Sequence, residues 1–249
     1  MRIPVPTDVT NALWEGSLEL PPDLNTHRLR NVRGGATSEV ALPNPRQLPH
    51  ASVGRPETWR LQDVYRRAEM PATLISKLDE ADFYLVRFSC SFRPRSDDTS
   101  IEWARFVVSL LADDGEAEQP TVADLHPMEV HHEIKRQSRV SLSPTLHFYN
   151  VEASLGEAAF ELEYAELQPI VTAAGAGEST ADWSYNEAKG LKIRGSKWMH
   201  MLVRSPKSSD SCTAKIDLVG DLMHHGWRIP VARPRRVHER VDQLVVRLW

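Results

Sequence analysis

Cysteine is scarce in this chain, with only Cys90 and Cys212 among 249 residues. Both lie in apolar runs that are typical of strands, so we expect two buried, reduced thiols. The alternative is one disulfide, which would require the two strands to be neighbours. Neither cysteine stands beside a histidine in a pattern typical of a thiol enzyme.

Long hydrophobic runs are also missing. The longest apolar run, FVVSLL, covers only residues 106–111, whereas about 18–20 residues are needed to cross a bilayer. The first ten residues, MRIPVPTDVT, lack the apolar stretch of a signal peptide. We therefore expect a soluble, cytoplasmic protein with no membrane span.

Motifs of common enzymes and of nucleotide-binding proteins are absent. No G-x-S-x-G nucleophile pattern occurs. The run GAGEST, which starts at Gly175, resembles a phosphate loop, but Glu178 stands where such a loop has lysine. The formal net charge of −4 produces no general attraction for nucleic acid. The sequence thus predicts no catalytic residue, no cofactor and no nucleic-acid partner, and it indicates no particular small-molecule ligand.

Alternating apolar residues dominate the middle of the chain and predict strands. One face of the segment FYLVRFSCSF carries Tyr84, Val86, Phe88, Cys90 and Phe92. The segments AAFELEY, SKWMHMLVR and KIDLVGDLM alternate in the same way. Turn residues separate about eight such runs, which favours an antiparallel β-sandwich, either jelly-roll-like or Ig-like.

The segment IEWARFVVSLLA, residues 101–112, is apolar on both faces. Since a strand covered on both sides carries apolar residues at successive positions, this pattern predicts a central strand with both faces buried.

Composition divides the chain into four segments. Residues 1–56 are rich in proline and glycine and predict an arm with no regular element beyond a short edge strand at LWEGSLEL. Residues 57–80 predict one or two short helices broken at Pro71. Residues 81–225 predict the sandwich core, and residues 226–249 a basic, amphipathic segment at the C-terminus.

The stretch DLHPMEVHHEIKR, residues 124–136, concentrates acidic and histidine side chains. On a strand, Glu129, His131 and Glu133 share one face, and such side chains can bind a metal ion. Lys135 lies on the same face, however, which favours an edge strand or a face turned to solvent. Metal binding at these three residues therefore remains an alternative prediction.

The C-terminal segment carries most of the positive charge. Residues 226–249 hold six arginines against Glu239 and Asp242, a formal charge of +4, so the rest of the chain carries −8. Helical spacing after Pro234 predicts a helix, although the residues from Gln243 also fit a strand. That spacing is formed by Val237, Val241, Leu244 and Leu248.

Taken together, these patterns predict a non-catalytic β-sandwich that acts through protein–protein contacts, as an adaptor, a complex subunit or the target of another enzyme. The alternative is a metal-dependent enzyme or metal-binding sandwich that uses the Glu129 face. A third possibility is binding to an anionic polymer. The residues expected to contact another protein are Arg233, Arg235, Arg236, Arg240 and Trp249.

Overall fold

Two antiparallel β-sheets pack face to face in the computed structural model of the chain. The structure describes residues 11–22, 24, 30–31, 42–64, 72–112, 118–130, 140–142, 160–162, 170–188, 192–207, 209, 211–233 and 244–249. The predicted mainly β, sandwich-like fold is therefore confirmed.

The first sheet has the strand order β1-β3-β5-β13-β7, and β4 also pairs with β5. Its long strands β5 and β13 run side by side over twelve residue pairs, from Gly195 opposite Phe92 to Pro206 opposite Ala81. The strand bounds are β1 Ala12–Ser17, β3 His50–Gly54, β4 Glu57–Arg60, β5 Ala81–Arg93, β7 Thr121–His126 and β13 Gly195–Pro206.

The second sheet has the strand order β2-β15-β14-β6-β12-β11-β8, and β16 also pairs with β14. Its strand bounds are β2 Arg30–Asn31, β6 Thr99–Ala112, β8 Glu129–Val130, β11 Ile170–Ala174, β12 Thr180–Asn186, β14 Cys212–His224, β15 Trp227–Ala232 and β16 Leu244–Arg247. Two further short strands, β9 Val140–Leu142 and β10 Phe160–Leu162, pair with each other and with no other described strand.

Aromatic rings from both sheets form the centre of the core. Phe88 of the first sheet lies 6.0 Å from Phe106 and 6.3 Å from Trp183 of the second, measured between ring centroids. All three side chains are fully buried. Because tilted aromatic pairs at these distances are favourable beyond the area they bury, this trio helps to hold the sheets together.

Two helices, α1 Leu61–Val64 and α2 Ala72–Glu80, contact β5 of the first sheet. Phe83 and Leu85 of β5 point away from the sandwich core and are buried nonetheless, as is Leu61 of α1. The helices thus help to cover one end of the outer face of this sheet. The predicted break at Pro71 lies outside the described residues.

The strand covered on both faces is β5, not β6, so that prediction was wrong. In β6, Ala104, Phe106 and Val108 are buried, whereas Arg105 and Leu111 on the other face are exposed. A β-bulge at Glu102 shifts the alternation. The register pairs Asp221 with Trp103 but Leu222 with Ile101, so Ile101 joins the buried face.

Two further segment predictions need correction. Residues 1–56 contain β3, a largely buried interior strand between β1 and β5, although β1 is the expected edge strand. Pro49 and Pro56 flank β3 and leave its own donors intact. Residues 57–60, expected to be helical, form β4 because they pair with β5, from Glu57 opposite Arg87 to Arg60 opposite Tyr84.

The turn between β11 and β12 joins the two sheets at one corner. The Val122 N–H of β7 donates to the Glu178 carbonyl (2.8 Å), and the Gly177 N–H donates to the Val122 carbonyl (2.7 Å). Gly175 has φ +107°, and a Cβ there would lie 2.2 Å from the Thr180 carbonyl oxygen. Only glycine fits this position, so the run GAGEST is a structural connector between strands.

Candidate partner-binding face

The C-terminal segment belongs to the second sheet. Leu244–Arg247 is the strand β16, which pairs antiparallel with β14 from Leu244 opposite Ile216 to Arg247 opposite Thr213. The helix predicted over these residues was therefore wrong, and the strand alternative holds. Pairing with β14 provides hydrogen-bond partners for one edge of β16. Val246 and Leu248 are buried, in the alternation that a strand requires.

Two of the five residues predicted to contact a partner pack against their own chain. The indole of Trp249 stacks on the ring of Tyr84, with centroids 3.8 Å apart and planes 3° from parallel. Arg233 is buried, and its backbone N–H donates to the Leu218 carbonyl (3.0 Å). Arg235, Arg236 and Arg240 lie outside the described residues. The role of all five in partner binding remains a prediction.

Two large apolar side chains are exposed on the outer face of the second sheet. Leu111 of β6 is 43% exposed and Val245 of β16 is 50% exposed. The register places them diagonally across β14, since Leu111 is opposite Thr213 and Val245 is opposite Lys215. With strands spaced about 4.8 Å apart, β6 and β16 lie roughly 10 Å from each other.

Two cationic side chains lie near these residues on the outer face, where Asp217 follows Lys215 two positions along β14. Lys215 lies beside Val245 on β14, and Arg247 lies beside Thr213 in the row of Leu111. In the described part of the chain no Asp or Glu carboxylate lies within ion-pair distance of either cation, while the Arg247 Nε donates to the main-chain oxygen of Trp249 (2.9 Å). We call Leu111, Thr213, Lys215, Val245 and Arg247 the β6–β16 patch. It combines exposed apolar surface with positive charge.

A row of polar side chains crosses the outer face of the first sheet. Glu57, Arg87, His200 and His126 lie in successive positions on β4, β5, β13 and β7. Arg87 is only 3% exposed, and its Nε donates to a carboxylate oxygen of Glu57 (2.6 Å). We call these four residues the polar row.

Nearby aromatic rings stabilise the positive charge of Arg87, and burial keeps the two histidines of the polar row neutral. The Arg87 guanidinium lies 5.1 Å from the Trp59 ring and 5.5 Å from the Trp198 ring, so cation–π attraction adds to its ion pair. Burial, and then the nearby charges of His126 and Arg87, lowers the pKa of His200 to about 3. Burial also lowers the pKa of His126. Both imidazoles are therefore neutral at physiological pH, and the row is suited to a structural role.

A groove of about 500 Å³ lies where α2, β7, β13 and the β11–β12 turn meet. Lys77 and Arg204 contribute positive charge to its walls, and Glu80 contributes negative charge. Arg204 also lies 3.6 Å from the carboxylate of Glu118. Phe83 and Met128 supply apolar surface. The charges balance, so the groove favours no ligand of one sign.

Both cysteines are buried thiols that form no disulfide, and they lie in different sheets. Cys90 belongs to β5 and Cys212 to β14. Burial raises the pKa of the Cys90 thiol to about 12. The reduced state predicted from the sequence therefore agrees with the structure, and Cys90 carries no reactive thiolate near neutral pH.

The alternative metal site falls largely outside the described residues. Glu129 lies on β8 at the edge of the second sheet, as the predicted edge strand requires, but His131 and Glu133 are not described. Within the described ranges, no three histidine, cysteine, aspartate or glutamate side chains lie close enough to hold one ion. Metal binding at Glu129, His131 and Glu133 stays an untested prediction.

Comparison with known proteins identifies no family for this chain. No family model matches it, and no curated protein matches it. Fourteen chains of solved structures match. One is the crystal structure of the Clostridium perfringens NetB toxin in the membrane inserted form, with 8% identity over 74% of this chain and 85% of that chain. Its TM-score of 0.34 is too low to support an argument about function. None of the helices in the described ranges is long and apolar enough to cross a membrane.

Proposed function

We propose that this chain is a non-catalytic β-sandwich that binds another protein through the β6–β16 patch. The observation that carries the proposal is the exposure of Leu111 and Val245 on one sheet face. Scattered exposed apolar residues are ordinary, but these two lie on the same sheet face on either side of β14, near the cations Lys215 and Arg247. Apolar surface surrounded by charge is typical of contact sites between proteins.

The partner is expected to present an acidic surface with an apolar centre. Lys215 and Arg247 would attract its carboxylates, while Leu111 and Val245 would lose water on contact. The excess of arginine in residues 226–249 supports the same charge preference. Because the contact is partly electrostatic, its association rate should fall as the salt concentration rises.

Site-specific photo-crosslinking in the cells that produce the protein tests this proposal. A photoreactive amino acid at Leu111 would be compared with the same amino acid at Leu42, which is also 43% exposed but lies outside the patch. We expect a protein adduct from position 111, absent from position 42 and reduced by Lys215→Glu. The proposal fails if both positions give the same adducts, or if position 111 gives none.

A further inference from the structure

Within the described residues, one of the two edges of the strand β16 has no partner strand. β14 pairs with one edge, and no other strand of the described part of the chain pairs with the second edge. β15, on the same side of β14, differs in this respect. Its outer edge is covered by β2 at Trp227 and Arg228 and by a bridge from Glu19 to Ala232. Among the described strands on this side of β14, the edge without a partner therefore belongs to β16.

The phase of the hydrogen bonds shows which backbone groups face outward. The Leu248 N–H donates to the Cys212 carbonyl (2.8 Å), and the Cys212 N–H donates to the main-chain oxygen of Trp249 (3.4 Å), so the backbone groups of Leu248 and Cys212 point towards each other. In an antiparallel pair, such residues alternate with residues whose N–H and C=O point the other way. Val246 and Leu244 consequently bond to β14, whereas the backbone groups of Val245 and Arg247 point away from it.

Natural edge strands usually carry features that prevent pairing with another chain, such as a very short length, charged side chains, proline or a bulge. β16 is four residues long and carries Arg247, but it has neither of the last two features. β16 has the sequence LVVR, which is free of proline, and its register with β14 shows no bulge. Valine is also among the residues that favour strands. Val245 and Arg247, whose backbone N–H and C=O groups point away from β14, both belong to the β6–β16 patch.

We propose that an extended, acidic segment of the partner adds to the outer edge of β16 as a further strand. Its backbone would bond to the N–H and C=O groups of Val245 and Arg247, which is the recognition mode called β-augmentation. Its side chains on the outer face would lie beside Val245 and Arg247, with Lys215 one strand further away. Carboxylates on that face match these cations. This inference rests on the proposed function and defines the form of the partner.

A short fluorescent peptide that alternates valine and glutamate serves as the probe. Such a peptide places its carboxylates on one face and its valines on the other. We expect it to bind the full chain in fluorescence anisotropy, more weakly as salt is added, while a peptide that alternates valine and lysine does not bind. If the valine–glutamate peptide fails to bind at low salt, the inference is wrong.

Two variants at one position separate backbone from side-chain recognition. Val245→Pro removes the outward N–H and leaves the bonds of Leu244 and Val246 to β14, whereas Val245→Ala keeps the donor. We expect Val245→Pro to bind the peptide about tenfold more weakly than Val245→Ala, as the loss of one hydrogen bond predicts. Equal binding by the two variants would exclude strand addition.

Amide hydrogen exchange on the unaltered chain measures protection of the β16 edge directly. This measurement does not depend on how the proline variant folds. Saturating peptide should slow the exchange of the Val245 and Arg247 amides, while the Val246 amide, already bonded to β14, stays unchanged. Unchanged exchange at Val245 and Arg247 would overturn the inference. The proposed function would survive that result if crosslinking from Leu111 still captured a protein, so the two failures are distinguishable.

Discussion

Trp249 lies flat on Tyr84, with ring centroids 3.8 Å apart and planes 3° from parallel. Tyr84 belongs to β5 of the first sheet, while Trp249 follows β16 of the second. The contact therefore fastens the C-terminal strand across the interface between the sheets.

Removing this stack should weaken the whole fold. For Trp249→Ala we expect a loss of about 2–4 kcal/mol in the free energy of unfolding, because a large, partly buried ring and its stacking partner lose contact. Urea unfolding monitored by circular dichroism would measure the loss. Trp249→Phe is the matched control and should retain most of the stability. A chain that tolerates alanine without loss would show that the stack contributes little.

The polar row predicts acid sensitivity. His200 is neutral in the folded chain because its pKa is lowered to about 3, whereas an unfolded histidine takes up a proton near pH 6.5, as usual. The unfolded state therefore binds more protons as the pH falls through this window, and stability falls with it. The expected loss from His200 alone is about 2 kcal/mol at pH 5.

Comparison of His200→Gln with the unaltered chain isolates this contribution from that of other titrating groups. The variant should lose less stability between pH 7 and pH 5, and the difference should approach the value for His200. Parallel pH profiles for His200→Gln and the unaltered chain would contradict the prediction.

The hairpin between β14 and β15 contains a strained residue. His225 has φ +47° and is followed by Gly226 with φ +87°, between the paired residues His224 and Trp227. Two positive φ values in a two-residue loop define a type I′ turn, which favours Asn-Gly. We expect His225→Asn to raise the free energy of unfolding by about 0.5–1 kcal/mol. His225→Ala should bring no such gain, and equal stability of the two variants would refute this explanation.

The thiols should resist modification in the folded protein. Burial raises the pKa of Cys90 to about 12, and Cys212 is fully buried as well. Ellman's reagent should therefore react slowly with the native chain and rapidly with both thiols in denaturant. Rapid reaction of one thiol in the native state would show that its strand opens locally. Cys90→Ala and Cys212→Ala would then identify which thiol reacts.

The β-sandwich was predictable because alternation is strong in its long strands. In β14, Ile216, Leu218 and Leu222 face the core, whereas Lys215 and Asp217 do not, as their spacing predicts. The C-terminal strand was harder to predict. Leu244 and Leu248 fit a helical spacing and a strand spacing equally well, and the partner strand that decides between them is distant in sequence.

The polar row was missed for a similar reason. The available signal was Arg87, a charged residue in an otherwise apolar run that forms a strand buried on both faces. The sequence does not show that Glu57, His200 and His126 lie on successive neighbouring strands, because this depends on register. Of the predicted contact residues, Trp249 was found in a stack within the chain, while the exposed pair Leu111 and Val245 emerged only from the sheet geometry.

The corner formed by Val122, Gly177 and Glu178 has a mechanical consequence. Because the backbone of β7 is bonded both to β13 in its own sheet and to the β11–β12 turn of the other, β7 cannot slide along β13 without pulling that turn. Force applied to one sheet at this corner is transmitted to the other through hydrogen bonds instead of through side-chain packing alone. Shear between the sheets should therefore begin at positions far from this corner.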